Sequence, residues 1–208
     1  MEKILIIDSG TGNIHSIKNA VTKVVGQEKV KIVEKESDFA EASHIILPGV
    51  GAFDKAMRKL KKNDGLINRL EEQVIKAQIP FLGICVGMQV LADVGYENDA
   101  IVGLGWIPGE VRHIPQSNLV IPHMGWNNIQ VENHKAEINK DFSCFDNKDF
   151  YFVHSYYFDC AMAGHRIANV EYGISFPAII ARDNIIATQF HPEKSGENGL
   201  DFLKCFLE

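Results

Sequence analysis

The segment Phe81-Leu82-Gly83-Ile84-Cys85-Val86-Gly87-Met88-Gln89 constrains this chain more than any other. An apolar run ends on a cysteine held between two glycines, and a helical pattern begins at once. A strand that turns into a helix within two or three residues needs a tight elbow, and glycines there keep side chains from colliding across it. The layout fits a parallel sheet, whose strands must be joined by helices rather than hairpins. It also presents the cysteine at the carboxyl end of a strand, where open α/β sheets place their sites. At the first turn of a helix the backbone dipole favours an anion, the reactive form of a thiol.

The rest of the first half fits such a sheet. Lys3 to Asp8, Val30 to Glu34, His44 to Leu47 and Phe81 to Ile84 read as short strands. Ile14 to Val25, Ala52 to Lys62 and Leu66 to Ala77 carry helical spacing between them. The second half changes character, with β-branched and aromatic residues in partial alternation through Glu110 to Val131 and Phe150 to Asp159. Ala178 to Arg182 and Ile185 to Phe190 read as a hairpin around Asp183-Asn184, and Leu200 to Leu207 as a closing helix. No linker or repeat divides the chain, so one domain over residues 1–208 with a mixed sheet is expected.

Several function classes drop out on composition. A net charge of −6 without a basic tract argues against nucleic acid, and Arg58-Lys59-Leu60-Lys61-Lys62 reads as a solvated helix face. No apolar run approaches the roughly 20 residues of a membrane span. The opening residues do not form a secretory signal, so the expected location is the cytoplasm. The four cysteines form no Cys-x-x-Cys pair, so no metal is expected, and Cys144, Cys160 and Cys205 read as small apolar residues. Gly10-Thr11-Gly12-Asn13-Ile14-His15 suggests a dinucleotide turn, but His15 stands where the third glycine belongs, and no phosphate-binding Gly-Lys-Ser/Thr loop occurs. No cofactor is expected.

Cys85 needs a base, and Gln189-Phe190-His191-Pro192-Glu193 offers one at the end of another apolar strand. Pro192 biases His191 toward extended backbone, in which residues two apart point the same way. Glu193 is thereby expected beside one ring nitrogen, leaving the other to face the thiol. Backbone N–H groups must also receive a developing oxyanion: that of Val86, which follows the nucleophile, and that of Val50 in Pro48-Gly49-Val50-Gly51.

Gly83-Ile84-Cys85-Val86-Gly87-Met88-Gln89, His191-Pro192-Glu193 and Pro48-Gly49-Val50-Gly51 resemble the signature segments of the class I, triad-type glutamine amidotransferases. Gly12-Asn13, Pro48 to Phe53, Pro122-His123-Met124-Gly125-Trp126-Asn127 and His191 to Gly196 are most similar to the glutaminase subunits of imidazole glycerol phosphate synthase, of histidine biosynthesis. The resemblance spans essentially the whole chain. It implies a three-layer, flavodoxin-like α/β fold with a central mixed, largely parallel sheet. It implies L-glutamine hydrolysis to glutamate and ammonia by Cys85, His191 and Glu193. Substrate would be held by Gly49, Gly51, Gln89 and the segment His154-Ser155-Tyr156, largely through main chain in the last. It implies a separate (β/α)8-barrel synthase subunit as heterodimer partner, with Asn13, His123, Met124, Trp126 and Lys194 toward it. Ser9 and Gly105-Trp106-Ile107 depart from the common pattern. A paralogous subunit serving a sugar-amidating synthase, a general amidase, and a non-catalytic glutamine sensor stay open at this point.

Overall fold

A computed structural model describes residues 3–8, 13–35, 39, 42–63, 65–116, 118–132 and 140–208. Ser9, the Gly10–Gly12 turn and His134 lie outside them. In chain order the strands are β1 (Ile4–Ile7), β2 (Val30–Val33), β3 (His44–Gly49), β4 (Phe81–Cys85), β5 (Val94–Tyr96), β6 (Ala100–Val102), β7 (Gly109–His113), β8 (His123–Asn128), β9 (Gln130–Val131), β10 (Asp149–His154), β11 (Tyr156–Cys160), β12 (Arg166–Glu171), β13 (Ser175–Arg182) and β14 (Ile185–Thr188). The α-helices are α1 (Ile14–Val25), α2 (Phe53–Lys62), α3 (Leu66–Leu70), α4 (Val86–Gln89) and α5 (Gly196–Leu207), and α3 continues as a π-helical stretch over Glu71–Lys76.

An eight-stranded sheet runs in the order β2-β1-β3-β4-β14-β13-β12-β9. From β2 to β14 every pairing is parallel, and from β14 to β9 every pairing is antiparallel. The inner parallel strands are largely apolar because helices cover such sheets on both sides, whereas β2 at the edge exposes Lys31. β1, β4 and β14 are buried at every residue. Helix α1 buries Ile14, Ile17, Ala20 and Val21, one stripe at helical spacing, and Asn13 caps its start by accepting from Ser16 N–H. Helix α2 does the same with Phe53, Ala56, Met57 and Leu60, and turns its lysines to solvent.

The second half departs from the single mixed sheet expected of it. Strands β11-β7-β5-β6 form a separate four-stranded sheet, and β8 with β10 forms a two-stranded ribbon. Alternation marks these segments as strands, but their partners are set by tertiary packing that the pattern does not encode.

Candidate functional site

Strand β4 lies between β3 and β14, and its last residue, Cys85, comes level with Gly49 of β3. Cys85 sits at φ 54°, a region costing a non-glycine residue about 1–3 kcal/mol. The elbow is tight. A Cβ at Gly83 would stand 2.6 Å from the Gly87 carbonyl oxygen, and one at Gly87 only 1.8 Å from that of Leu47 on β3. Gly87 thus lets the chain leaving Cys85 pass against the neighbouring strand as well as its own.

The helix after Cys85 is shorter than the sequence suggests. Only Val86–Gln89 are α-helical, because the carbonyls of Val90, Leu91 and Ala92 accept from the N–H groups of Leu104, Trp106 and Gly105 instead of continuing the helix. Every residue from Phe81 to Ala92 is buried, so this turn of helix presents no face to solvent. One turn carries little dipole, and the expected support of a thiolate by that dipole is corrected accordingly.

Strand β14 delivers the second group. Thr188 is in register with Ile84, which brings the chain beyond it alongside Cys85. His191 N–H donates to the Tyr151 carbonyl at 2.9 Å, and His191 Nδ1 lies 2.8 Å from Glu193 Oε1. Both side chains are almost wholly buried. His191 is extended as expected, at φ −101° and ψ 99°, but the chain beyond it is not: Pro192–Lys194 form a 3-10 turn, closed by Lys194 N–H on the His191 carbonyl. Burial alone would lower the imidazole, but the negative charge of the Cys85 sulfur, reinforced by Glu193, outweighs it and raises His191 to about 10. Its Nε2 and the second oxygen of Glu193 are buried without a hydrogen-bond partner.

A cavity of about 470 Å³ opens over the sulfur, lined by Asn13, Val50, Gly51, Cys85, Val86, Gln89, Glu97, Pro122, Val153 to Tyr156 and Lys194. A separate hollow of about 270 Å³, lined by Ile75, Trp106 and Arg182 among others, lies at the opposite end of β14 and shares no residue with it. Of the residues singled out from sequence, the cavity gathers Asn13, Val50, Gly51, Cys85, Val86, Gln89, His154, Ser155, Tyr156 and Lys194. Gln89 is 4% exposed and its Nε2 is already committed, donating to the Tyr156 carbonyl at 2.8 Å and to Gln189 Oε1 at 3.1 Å.

On β8 the burial alternates. Met124 and Trp126 stand out of the surface, 61% and 58% exposed. Trp126 meets Tyr151 edge-on, and the exposed Lys194 places its ammonium 5.8 Å from the same ring. His123, expected to face outward with them, points inward and is 3% exposed, stacked against Phe152 and Tyr172. A strand's period of two puts it on the opposite side from Met124.

Two residues escape the sequence reading. Glu97 lines the cavity, with Oε2 accepting from Phe53 N–H at 2.6 Å and its carbonyl from the Tyr156 hydroxyl at 3.1 Å. Burial raises its carboxyl, against the lowering effect of the Phe53 bond. No motif marks it. Gln189 is wholly buried, and its Nε2 donates to Cys85 Sγ at 3.7 Å. Alternation could have found it, since it stands two residues before His191.

His123 Nδ1 lies 3.1 Å from His154 Nε2, and His154 Nδ1 lies 2.9 Å from the Tyr156 carbonyl oxygen. Burial pushes His154 down to about 3 and His123 to about 4, from ordinary values of 6.5. Both rings are neutral in the folded chain. Between pH 6.5 and about 4 the unfolded chain therefore binds more protons, and stability falls as pH drops through that window. The loss approaches about 1.4 kcal/mol per pH unit for each ring. His191 adds no slope there, because with its raised value it is protonated in both states below 6.5. Urea midpoints at pH 7 and 5 should thus fall steeply for the natural chain. His154→Gln should fall less, by about 2 kcal/mol; equal falls would remove the buried ring from this role.

Residues 5–208 match the family described as glutamine amidotransferase class-I. The imidazole glycerol phosphate synthase subunit HisH of Lactococcus lactis is 46% identical over 209 residues, covering 100% of this chain and 99% of that one. The subunit of the same name from Methanothermobacter thermautotrophicus is 44% identical over 205 residues, covering 99% and 98%. Among solved structures, one titled PurLQS from Thermotoga maritima superposes with a TM-score of 0.73 at 14% identity, covering 99% of this chain and 97% of that one. A glutamine amidotransferase crystal structure gives 0.71 at 17%, covering 98% and 97%. At such identities the structures speak for the fold alone.

Proposed function

The chain belongs to the class-I glutamine amidotransferase family, and from that membership we propose that it is the glutaminase subunit of an imidazole glycerol phosphate synthase. It would be a single glutamine amidotransferase domain over residues 1–208, hydrolysing L-glutamine and passing the ammonia to a (β/α)8-barrel subunit that uses it in histidine biosynthesis. The observation that carries this reading is the sulfur of Cys85, at a strained elbow under a cavity, with the buried His191–Glu193 pair delivered by the adjacent strand.

The chemistry follows from the groups present. The Cys85 thiolate attacks the side-chain carbonyl carbon of glutamine. The developing oxyanion is assigned to the backbone N–H groups of Val86 and Val50, at the ends of neighbouring strands. Imidazolium His191 gives its proton to the departing nitrogen, and ammonia leaves a γ-glutamyl thioester. Glu193 holds the ring and stabilises its charged form. A glutamine head carries an ammonium and a carboxylate; Glu97 suits the first, and the main chain of residues 154–156 is assigned to both. The exposed Met124 and Trp126 of β8 suit a protein partner; Lys194, which shares the Tyr151 ring with Trp126, and Asn13 line the cavity. We place the protein in the cytoplasm, where its four free cysteines stay reduced. Among the described residues no helix is long and apolar enough to cross a membrane.

The test is glutamate release from glutamine with and without the cyclase subunit of the same cell and its nucleotide substrate. At least roughly tenfold stimulation is expected, and Trp126→Ala should weaken the complex by about 2 kcal/mol, or roughly 30-fold in Kd. Release that the cyclase leaves unchanged would direct the ammonia to another synthase. An unchanged Kd would remove β8 from the interface.

A further inference from the structure

The hydrogen bonds around Cys85 form a chain whose direction is forced at each link. The Tyr156 carbonyl can only accept, so Gln89 must turn its NH2 toward it. The second hydrogen of that NH2 meets Gln189, which must answer with its oxygen. That leaves the Gln189 NH2 toward the sulfur. The same carbonyl fixes His154 as a donor from Nδ1, so His154 Nε2 accepts from His123 Nδ1, and His123 Nε2 accepts from Asn127. Gln189 has no freedom to rotate its amide without breaking two bonds. It is 0% exposed, and its backbone N–H is tied to the Ala178 carbonyl.

We propose that Gln189 is a further catalytic residue, the fixed donor that holds the Cys85 sulfur as an anion and receives it again as the leaving group. The proposal rests on the glutaminase reading above. It applies to both half-reactions. In the first, the donor stabilises the thiolate as it attacks while His191 carries the proton. In the second, neutral His191 takes a proton from water as the water oxygen attacks the thioester carbonyl carbon. The carbon–sulfur bond then breaks with its electron pair going to Sγ, giving glutamate, thiolate and imidazolium. The charge on sulfur appears in the place where the Gln189 NH2 already points, and a one-turn helix offers little other support. Through its oxygen the same side chain keeps the Gln89 amide against the cavity wall.

The test uses the full chain in complex with its synthase subunit. Gln189→Met keeps length and volume but removes the donor; Gln189→Glu keeps the shape and the acceptor but brings a carboxylate to the sulfur. Iodoacetamide labelling of the Cys85 peptide is followed by mass spectrometry from about pH 5 to about pH 10, since the exposed Cys144 will also react. For Gln189→Met the midpoint of the labelling profile should rise by about one pH unit, and for Gln189→Glu by more. Glutamine turnover should fall roughly 10²-fold in kcat. A folded Gln189→Met or Gln189→Glu whose labelling profile superimposes on that of the natural chain would reduce Gln189 to a space-filling role and overturn the proposal. Labelling needs no glutamine, so it judges Gln189 separately; a natural complex that releases no glutamate would sink the functional reading instead.

Discussion

Cys85→Ala is expected to lower glutamate release by a factor on the order of 10⁴–10⁶, to the level set by binding alone. The size of the loss follows from what remains. His191 and Glu193 would stay paired, and the cavity would keep its shape, but no group would be left to form the thioester. Water cannot replace the sulfur efficiently, because the paired His191 and Glu193 would offer it only general-base help, with no covalent intermediate to divide the reaction into two easier steps. Stability should change little. Cys85 is a small buried residue, alanine accepts the same backbone strain, and the lost Gln189 donor bond is worth about 1 kcal/mol. Binding to the synthase subunit should be unaltered, since the cysteine lies beneath the cavity and away from Met124 and Trp126. Assay of the variant in complex, with a melting curve beside it, checks both halves. More than about 1% residual turnover would remove Cys85 from the role of nucleophile.

Gly87→Ala should act on the fold, at a cost of about 3 kcal/mol or more. A Cβ 1.8 Å from the Leu47 carbonyl oxygen lies well inside contact distance, and neither side can yield easily. Leu47 is hydrogen-bonded in β3 against β4, and α4 is wedged between that strand and Gly83. Relief requires moving α4 outward, which carries Val86 N–H and Gln89 away from the cavity. Loss of soluble protein, or a melting point many degrees lower with activity lost in the surviving fraction, is the expected outcome. Gly164→Ala is the control, because its Cβ would meet nothing within 4 Å. A Gly87→Ala chain as stable as that control would contradict the close approach of α4 to β3.

The elbow was legible because it is local. Two glycines flanking a cysteine at a strand end dictate a tight turn, and the packing around Gly83 and Gly87 has that cause. Helix α1 and the β13–β14 hairpin were legible for the same reason, since spacing and turn residues decide both. What escaped depends on distant chain. Helix α4 ends early because residues 104–106 capture the carbonyls of residues 90–92 that follow it, a competition that the sequence around Cys85 does not show. His123 looked like a member of an outward-facing segment, yet its neighbours Met124 and Trp126 face outward only because it does not. Glu97 reaches the cavity from the short sheet of β5 and β6, whose placement rests on pairings with β7. The Glu193 contact was anticipated from an extended backbone, but a 3-10 turn produces the same side-chain proximity.

The central claim, that the Cys85 sulfur attacks the side-chain carbonyl of glutamine, is tested most directly with a diazoketone analogue of glutamine. Such a compound fits where glutamine fits and alkylates the thiolate that meets its carbonyl end, losing dinitrogen as the carbon–sulfur bond forms. The account predicts one label per chain, found on the Cys85 peptide by mass spectrometry, slowed by glutamine and absent in Cys85→Ala. A label on Cys144, Cys160 or Cys205 instead, or an unlabelled Cys85 in a complex that turns over glutamine, would contradict it.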